Sequence, residues 1–338
     1  MIRTISKSLL LLTFTVVLGC IAYPLAVWAV GQALFPFQAN GSMVLRADGT
    51  AVGSLLIAQP FTKPEYFHPR PSAASYDGSA STSSSLAPSN YLLRNRVART
   101  LGPIVKYRGG AQDGQLVGPD VEAWFQADQF QGAPHIVAQW ADAHNALAQA
   151  WVKADPLNEQ FVNEWAKAHP DVVTQWVHDN PATPEPAAAD LAVVFFEKWS
   201  EESAGTWPAL VDHAADDGTT TKAMEPTKDG EEVQGVFFDM WRQDHPEVAL
   251  QDVPGDLVTT SGSGLDPHIT LDNALYQLDR VAGEWAQQTK TDPARVKGEI
   301  RKLVEGSAVA PLGGSAGVPM VNVLEVNLAL AKRYGAGA

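Results

Sequence analysis

Cysteine is almost absent from this sequence. The single thiol, Cys20, cannot close an intramolecular disulfide and excludes a multi-cysteine zinc site, so stability must come from packing. No Gly-x-x-x-x-Gly-Lys-Ser/Thr loop cradles a nucleotide phosphate, and no Asp-Lys-Thr-Gly run offers a carboxylate for phosphorylation. ATP hydrolysis by this chain alone is therefore unsupported. Basic residues are scarce: 24 Lys+Arg against 38 Asp+Glu give a net charge of −14, which opposes binding to nucleic acid or to anionic lipid. The scarcity is local. Residues 111–250 hold 25 acidic and 6 basic side chains, a net of −19, while the remainder carries +5. Two regions of different character share one chain, and 338 residues with 45% hydrophobic content suffice for one large or two ordinary domains.

Charge is also missing from Leu9 to Val30, an apolar run of 22 residues. A hydrocarbon core of roughly 30 Å needs about 20 apolar residues as helix, so this run is expected to span a membrane. Arg3 and Lys7 precede it, and no Lys or Arg follows until Arg46. That bias puts residues 1–8 in the cytoplasm and the bulk of the chain outside, in the periplasm if the membrane is a cell inner membrane. A cleaved signal peptide near Val27-Trp28-Ala29 and a lipoprotein signal at Val17-Leu-Gly-Cys20 compete with the retained helix, which is favoured because the run is long and an apolar stretch follows Cys20. Pro24 is expected to kink the helix without ending it.

After the span, Met43–Arg46 and Val52–Ala58 read as two strands joined at Asp48-Gly49, a dipeptide suited to the positive φ of a tight hairpin. Pro60, Pro64, Pro69 and Pro71 then impose an extended, aromatic-studded loop. Ser79–Ser85 is a polar low-complexity run, and Ser89-Asn90 is placed to cap a helix reaching about Arg99. In the acidic region Trp is followed five residues later by Pro at Trp151, Trp165, Trp176 and Trp241. Each unit predicts the last turn of a helix stopped before proline, with the indole inward. The segments 181–186 and 219–226 read as linkers. Thr270 and Asp292 are expected to cap two further helices, with Leu271, Ala274, Leu275, Leu278, Val281, Ala282 and Trp285 on one face of the first. Val321–Leu330 reads as an amphipathic segment, helix in preference to strand.

Catalysis finds little support. Gly313-Gly-Ser-Ala-Gly317 has the Gly-x-Ser-x-Gly form of a nucleophile elbow, but Pro311 and Pro319 oppose the strand and helix that an elbow requires, so a glycine turn is favoured. His135, His144, His169 and His178 form no His-x-x-x-His pair. Asp266 and His268 make the most suggestive acid and histidine pair, for which a cap or turn role is preferred over general-base chemistry.

Several ordered motifs resemble the KdpC family, the C subunits of the Kdp potassium-transporting ATPase. They are Phe35-Pro-x-Gln-Ala-Asn-Gly-Ser42, Gly53-Ser-x-Leu-Ile-x-Gln59, Phe61-Thr, Tyr66-Phe-His-x-Arg-Pro-Ser-Ala73, Ser261-x-Ser-Gly-Leu-Asp266, Ile269-Thr and Val321-Asn-Val-Leu-Glu-x-Asn-Leu-Ala-Leu330. The resemblance covers the N-terminal helix to about residue 107 and again from about 250 to the end. It implies an α+β chain with one transmembrane helix (9–30) and a periplasmic domain of a short hairpin plus helices (31–107 and 251–338). A mainly helical acidic insert (108–250), not expected of a typical member, interrupts that domain.

The function implied is that of an accessory, noncatalytic subunit of an ATP-driven potassium uptake complex, stabilising it and acting as a catalytic chaperone that raises the ATP affinity of the pump subunit. No cofactor is expected to be held stably, ATP being met only through that partner. The implied partners are a potassium-translocating, channel-like subunit (KdpA) and a P-type ATPase subunit (KdpB), with room for a small KdpF peptide. Candidate interface or core residues are Gln38, Asn40, Gly41, Gln59, Phe61, Tyr66, Phe67, His68, Arg70, Ser72, Ser261, Leu265, Asp266, Asn322, Glu325 and Asn327. The alternatives are a membrane-tethered periplasmic binding protein or a serine hydrolase using Ser315.

Overall fold

The computed structural model describes residues 2–46, 48–214 and 220–335. It divides into two compact units, one of residues 1–85 with 253–338 and one of residues 86–252. The second unit begins earlier than the 108 suggested by composition.

The chain opens with α1 (Ile2–Val16), a π-helical turn over Val17–Ala22, and α2 (Tyr23–Leu34). Together they make one helix from Arg3 to Leu34, 32 residues long and with none of its apolar window buried. At a rise of about 1.5 Å per residue it measures some 48 Å, so it outlasts a hydrocarbon core of roughly 30 Å. The helix therefore extends past the 9–30 span at both ends. Pro24 has no N–H to give, and the turn before it widens, with the Tyr23 N–H bonded to the Leu18 carbonyl five residues back.

A short α3 (Pro36–Ala39) leads to β1 (Met43–Leu45) and β2 (Ala51–Ser54), which pair antiparallel with a register shift between Val44 and Leu45. Gly49 takes φ +82°, and Asp48 Oδ1 accepts from both the N–H and the hydroxyl of Thr50 at 2.9 and 2.6 Å. The second strand stops at Ser54, short of the expected Ala58, because Leu55–Ile57 turn the chain into the proline-rich loop.

The second unit starts with α4 (Tyr91–Leu101), capped by Asn90 Oδ1 on the Leu92 N–H, and α5 (Gly118–Gln126). A minimal β3 (Gln129–Phe130) and β4 (Ala133–Pro134) precede α6 (Ile136–Ala143), α7 (Asn145–Ala154), α8 (Pro156–Ala168), α9 (Pro170–Asp179) and α10 (Ala192–Glu202). The Trp-to-Pro units do mark helix ends, but at Pro156 and Pro170 the proline also opens the next helix.

The residue four after Trp helps close the turn. His169 and His245 each place Nδ1 on the carbonyl of the Trp before them, at 2.8 and 2.9 Å, and stack on its ring at 4.9 Å. Asn180 does the same for Trp176 through Nδ2 at 2.9 Å. Trp151, Trp165 and Trp241 are buried, whereas Trp176 is only half-buried. The 219–226 segment is not a linker: β5 (Trp207–Ala214) and β6 (Thr220–Thr227) form an antiparallel hairpin, in which Pro208 faces Pro226, and Thr219 lies outside the described residues. α11 (Glu231–Asp244) follows and packs against α4 and α5. Phe125 stacks on Phe237 at 4.4 Å and Phe196 on Trp207 at 5.0 Å, giving this unit an aromatic core.

Returning to the first unit, α12 (Gly255–Val258) and β7 (His268–Thr270) precede α13 (Leu271–Thr289), α14 (Pro293–Ser307), β8 (Met320–Asn322) and α15 (Val323–Tyr334). Thr270 caps α13 on the Asn273 N–H and Asp292 caps α14 on the Arg295 N–H. Val321–Leu330 is split. Its first residues pair with His268–Thr270 as β8, and the rest is helix capped by Asn322 on the Glu325 N–H. Leu278, Val281, Trp285, Ile300, Val304, Val321 and Leu330 make one apolar core, with Phe67 from the proline-rich loop inserted in it.

Candidate interaction site

The proline-rich loop cannot hydrogen-bond to itself as helix or sheet, so other elements must satisfy its backbone. Two side-chain amides do this. Asn327 of α15 accepts from the Phe67 N–H and donates to the Phe67 carbonyl, both at 2.9 Å. Gln277 of α13 accepts from the His68 N–H at 2.7 Å and donates to the His68 carbonyl at 3.0 Å. Each amide imitates one residue of a paired strand. Gln277 is itself held by Asn273 Oδ1 at 2.8 Å and by the Arg280 guanidinium at 2.7 Å, which also reaches the Tyr66 carbonyl at 3.1 Å. Phe67 and Asn327 are each 1% exposed, so this clamp is interior. Burial, with the Arg280 charge second, pushes the His68 imidazole below its ordinary value.

A second set of bonds ties the loop to residues 259–266. Ser72 Oγ donates to the Gly264 carbonyl at 2.5 Å and accepts from the N–H groups of Ala74 and Tyr76. Arg70 donates to the Thr260 carbonyl at 3.0 Å, and the Ala58 N–H to the Leu265 carbonyl at 2.9 Å. Gly264 sits at φ +70°, and a Cβ there would meet the Thr82 carbonyl oxygen at 2.9 Å. Ser261 is buried, its Oγ accepting from the Asp266 N–H. Asp266 Oδ1 takes the N–H of His268 and its Nδ1, each at 3.0 Å, and these bonds hold the carboxyl below the usual range against the opposing effect of burial. The pair closes a turn before β7.

The remaining candidates separate by exposure. Asn322 is buried and donates to the Leu55 carbonyl at 2.8 Å. Gln59 donates to the Val52 carbonyl at 3.1 Å and lies over Gly53, where a Cβ would require the Gln59 amide to move aside. Gly41 turns the chain at φ +81°, while Phe61 and Tyr66 pack against the core at the rim, Tyr66 edgewise on Trp285 at 6.0 Å. Gln38, Asn40 and Glu325 face solvent. Asn40 exchanges amide bonds with Gln32 at 3.2 and 3.3 Å and caps its own turn on the Pro36 carbonyl. Around them lie exposed apolar side chains: Phe35, Phe37, Met43, Leu45 and Leu56. Sequence reading missed Asn273, Gln277 and Arg280, whose signal was two amides four residues apart beside the apolar stripe of α13.

Among the described residues no catalytic geometry emerges. Ser315 follows a 3₁₀ turn over Pro311–Gly314 and is exposed, with no strand before it. Among the described residues, no group of three or more His, Cys, Asp or Glu could hold a metal ion. What the first unit offers is surface: an unburied apolar helix, an apolar rim at its exit, and a loop fixed from within.

A family model described as "K+-transporting ATPase, c chain" matches residues 5–123 and 199–332. The unmatched stretch, 124–198, is shorter than the acidic region 108–250; it runs from the end of α5 into α10, leaving the β5–β6 hairpin and α11 on the matched side. The potassium-transporting ATPase KdpC subunit of Rhodospirillum rubrum is 49% identical over 166 residues, which are 46% of this chain and 86% of that protein. The KdpC subunit of a Caulobacter species is 64% identical over 85 residues, 25% of this chain and 43% of that protein, so the match spans less than half of that relative. The KdpC subunit of Rhodopseudomonas palustris is 29% identical over 320 residues, 95% of this chain and 92% of its own length. The central segment thus has a counterpart there and is not peculiar to this chain. The long family match, the 49% identity over most of the Rhodospirillum protein and the ordered motifs agree: this chain belongs to the KdpC family, the c chains of potassium-transporting ATPases.

Proposed function

We propose that the chain is the noncatalytic, single-span subunit of an ATP-driven potassium uptake complex of the cell inner membrane. Its N-terminus lies in the cytoplasm and its folded part outside. It docks on a potassium-translocating, channel-like subunit (KdpA) and a P-type ATPase subunit (KdpB), with a small KdpF peptide as a further member. The observation that carries this reading is the division of labour in the first unit. Buried family-motif residues such as Phe67, Ser261, Asn322 and Asn327 build the fold, whereas the apolar helix Arg3–Leu34 and the rim around Phe35 and Phe37 are uncovered. An unburied surface of that size calls for lipid and a partner.

Within such a complex the chain stabilises assembly and raises the ATP affinity of the pump subunit as a catalytic chaperone. Nearly all of it lies across the membrane from ATP, so the effect travels through coupled states of the complex and not through nucleotide contact. An ATP titration of potassium-stimulated hydrolysis tests this. Adding the chain to the other subunits should lower KM for ATP; an unchanged KM in a complex shown to contain the chain overturns the chaperone role.

A further inference from the structure

The second unit holds a cavity of about 360 Å³, within the roughly 300–1,000 Å³ typical of small-molecule pockets. Trp140, Trp151 and Ala209 line it and are almost fully buried, with Leu147 beside them. Asn158, also on the wall and 5% exposed, uses its Nδ2 on the Trp151 carbonyl but leaves Oδ1 buried without a partner, and the Trp140 N–H is likewise unpaired. Both atoms are shielded from solvent, so the wall turns its apolar surface to the cavity.

Two opposite charges complete the lining, Arg99 from α4 and Glu232 from α11. The two helices touch there, since a Cβ on Gly235, about one turn after Glu232, would meet the Arg99 carbonyl oxygen at 2.8 Å. Both side chains are exposed, and among the described residues neither has an ion-pair partner. An anion alone would face Glu232 and the acidic surroundings, and a cation alone would face Arg99. A molecule bearing an ammonium and a carboxylate on one carbon answers both.

We propose that this cavity binds a free α-amino acid with an apolar side chain. Its carboxylate pairs with Arg99, its ammonium pairs with Glu232, and its side chain lies against Trp140, Trp151 and Leu147. α6, α7 and α8 supply one part of the wall from the stretch that the family model leaves unmatched, and α4, β5 and α11 supply the other from the matched part. The site therefore needs the central segment 124–198.

Calorimetric titration of the purified full-length chain in detergent tests the proposal with three probes. L-Phenylalanine carries both charges, 2-phenylethylamine lacks the carboxylate, and 3-phenylpropionate lacks the ammonium. L-Phenylalanine should bind with one site, and each analogue should bind about tenfold more weakly or worse. Arg99→Met and Glu232→Gln should each weaken L-phenylalanine by a similar factor while the unliganded chain keeps its thermal midpoint. Absence of saturable L-phenylalanine binding, equal binding of either analogue, or binding indifferent to both substitutions overturns it.

Discussion

Replacing Asn327 by Leu removes the clamp on Phe67 while keeping the branch at Cγ. The Phe67 N–H and carbonyl, both bonded to Asn327 at 2.9 Å in the interior, would lose their partners together. Each of the two buried backbone groups left unpaired costs about 1–3 kcal/mol, and the added apolar burial of Leu returns about 1 kcal/mol, leaving a net loss of about 1–5 kcal/mol. The penalty should be felt locally as well, because Phe67 anchors the proline-rich loop in the core. Urea unfolding of the full chain in detergent reads the global loss, and hydrogen exchange of the peptide covering residues 58–76 reads the local one. The Phe67 amide should lose protection before the amides of α13 do. A change below about 0.5 kcal/mol, with exchange of the loop unaltered, would refute the clamp.

Glu325→Ala should leave folding within about 0.5 kcal/mol, because Glu325 is exposed and the cap on α15 comes from Asn322. Gly102→Ala should destabilise the second unit by about 1–3 kcal/mol, measured by thermal unfolding, because the new Cβ would meet the Gln234 carbonyl carbon at 2.5 Å. Gly53→Ala should cost about 1 kcal/mol or less and match Gln59→Ala, since the obstacle is a side-chain amide that can swing away at the loss of one hydrogen bond. His68 has a folded-state value below its ordinary 6.5, so its contribution is complete above pH 6.5 and is lost as pH falls through the lower, folded value. A His68→Asn variant should flatten that limb of the stability curve.

Much of this fold was legible because the signals were short-range. Asn90, Thr270 and Asp292 each cap a helix through a side chain two or three residues from its target, and Asp48-Gly49 closes its own turn. The Trp-to-Pro units were readable for the same reason. Long-range pairings were not. β8 meets β7 across some fifty residues, and three residues of strand ahead of a helix look like the start of its amphipathic pattern. The β5–β6 hairpin was hidden by Pro226, which reads as a breaker although it faces Pro208 in the ladder. In the site, the motif positions were visible, but which of them face inward was not. Asn327 and Glu325 sit two residues apart in one motif, yet helix periodicity buries the first and exposes the second. Gln277 escaped notice because a buried amide that serves another segment's backbone leaves no local pattern.

Co-purification tests the central claim most directly. The full chain, produced in a cell that also makes the other subunits and extracted in mild detergent, should carry with it a potassium-channel-like subunit and a P-type ATPase subunit in fixed proportion. Recovery of the folded chain without either of them would contradict its role as a subunit of the potassium pump.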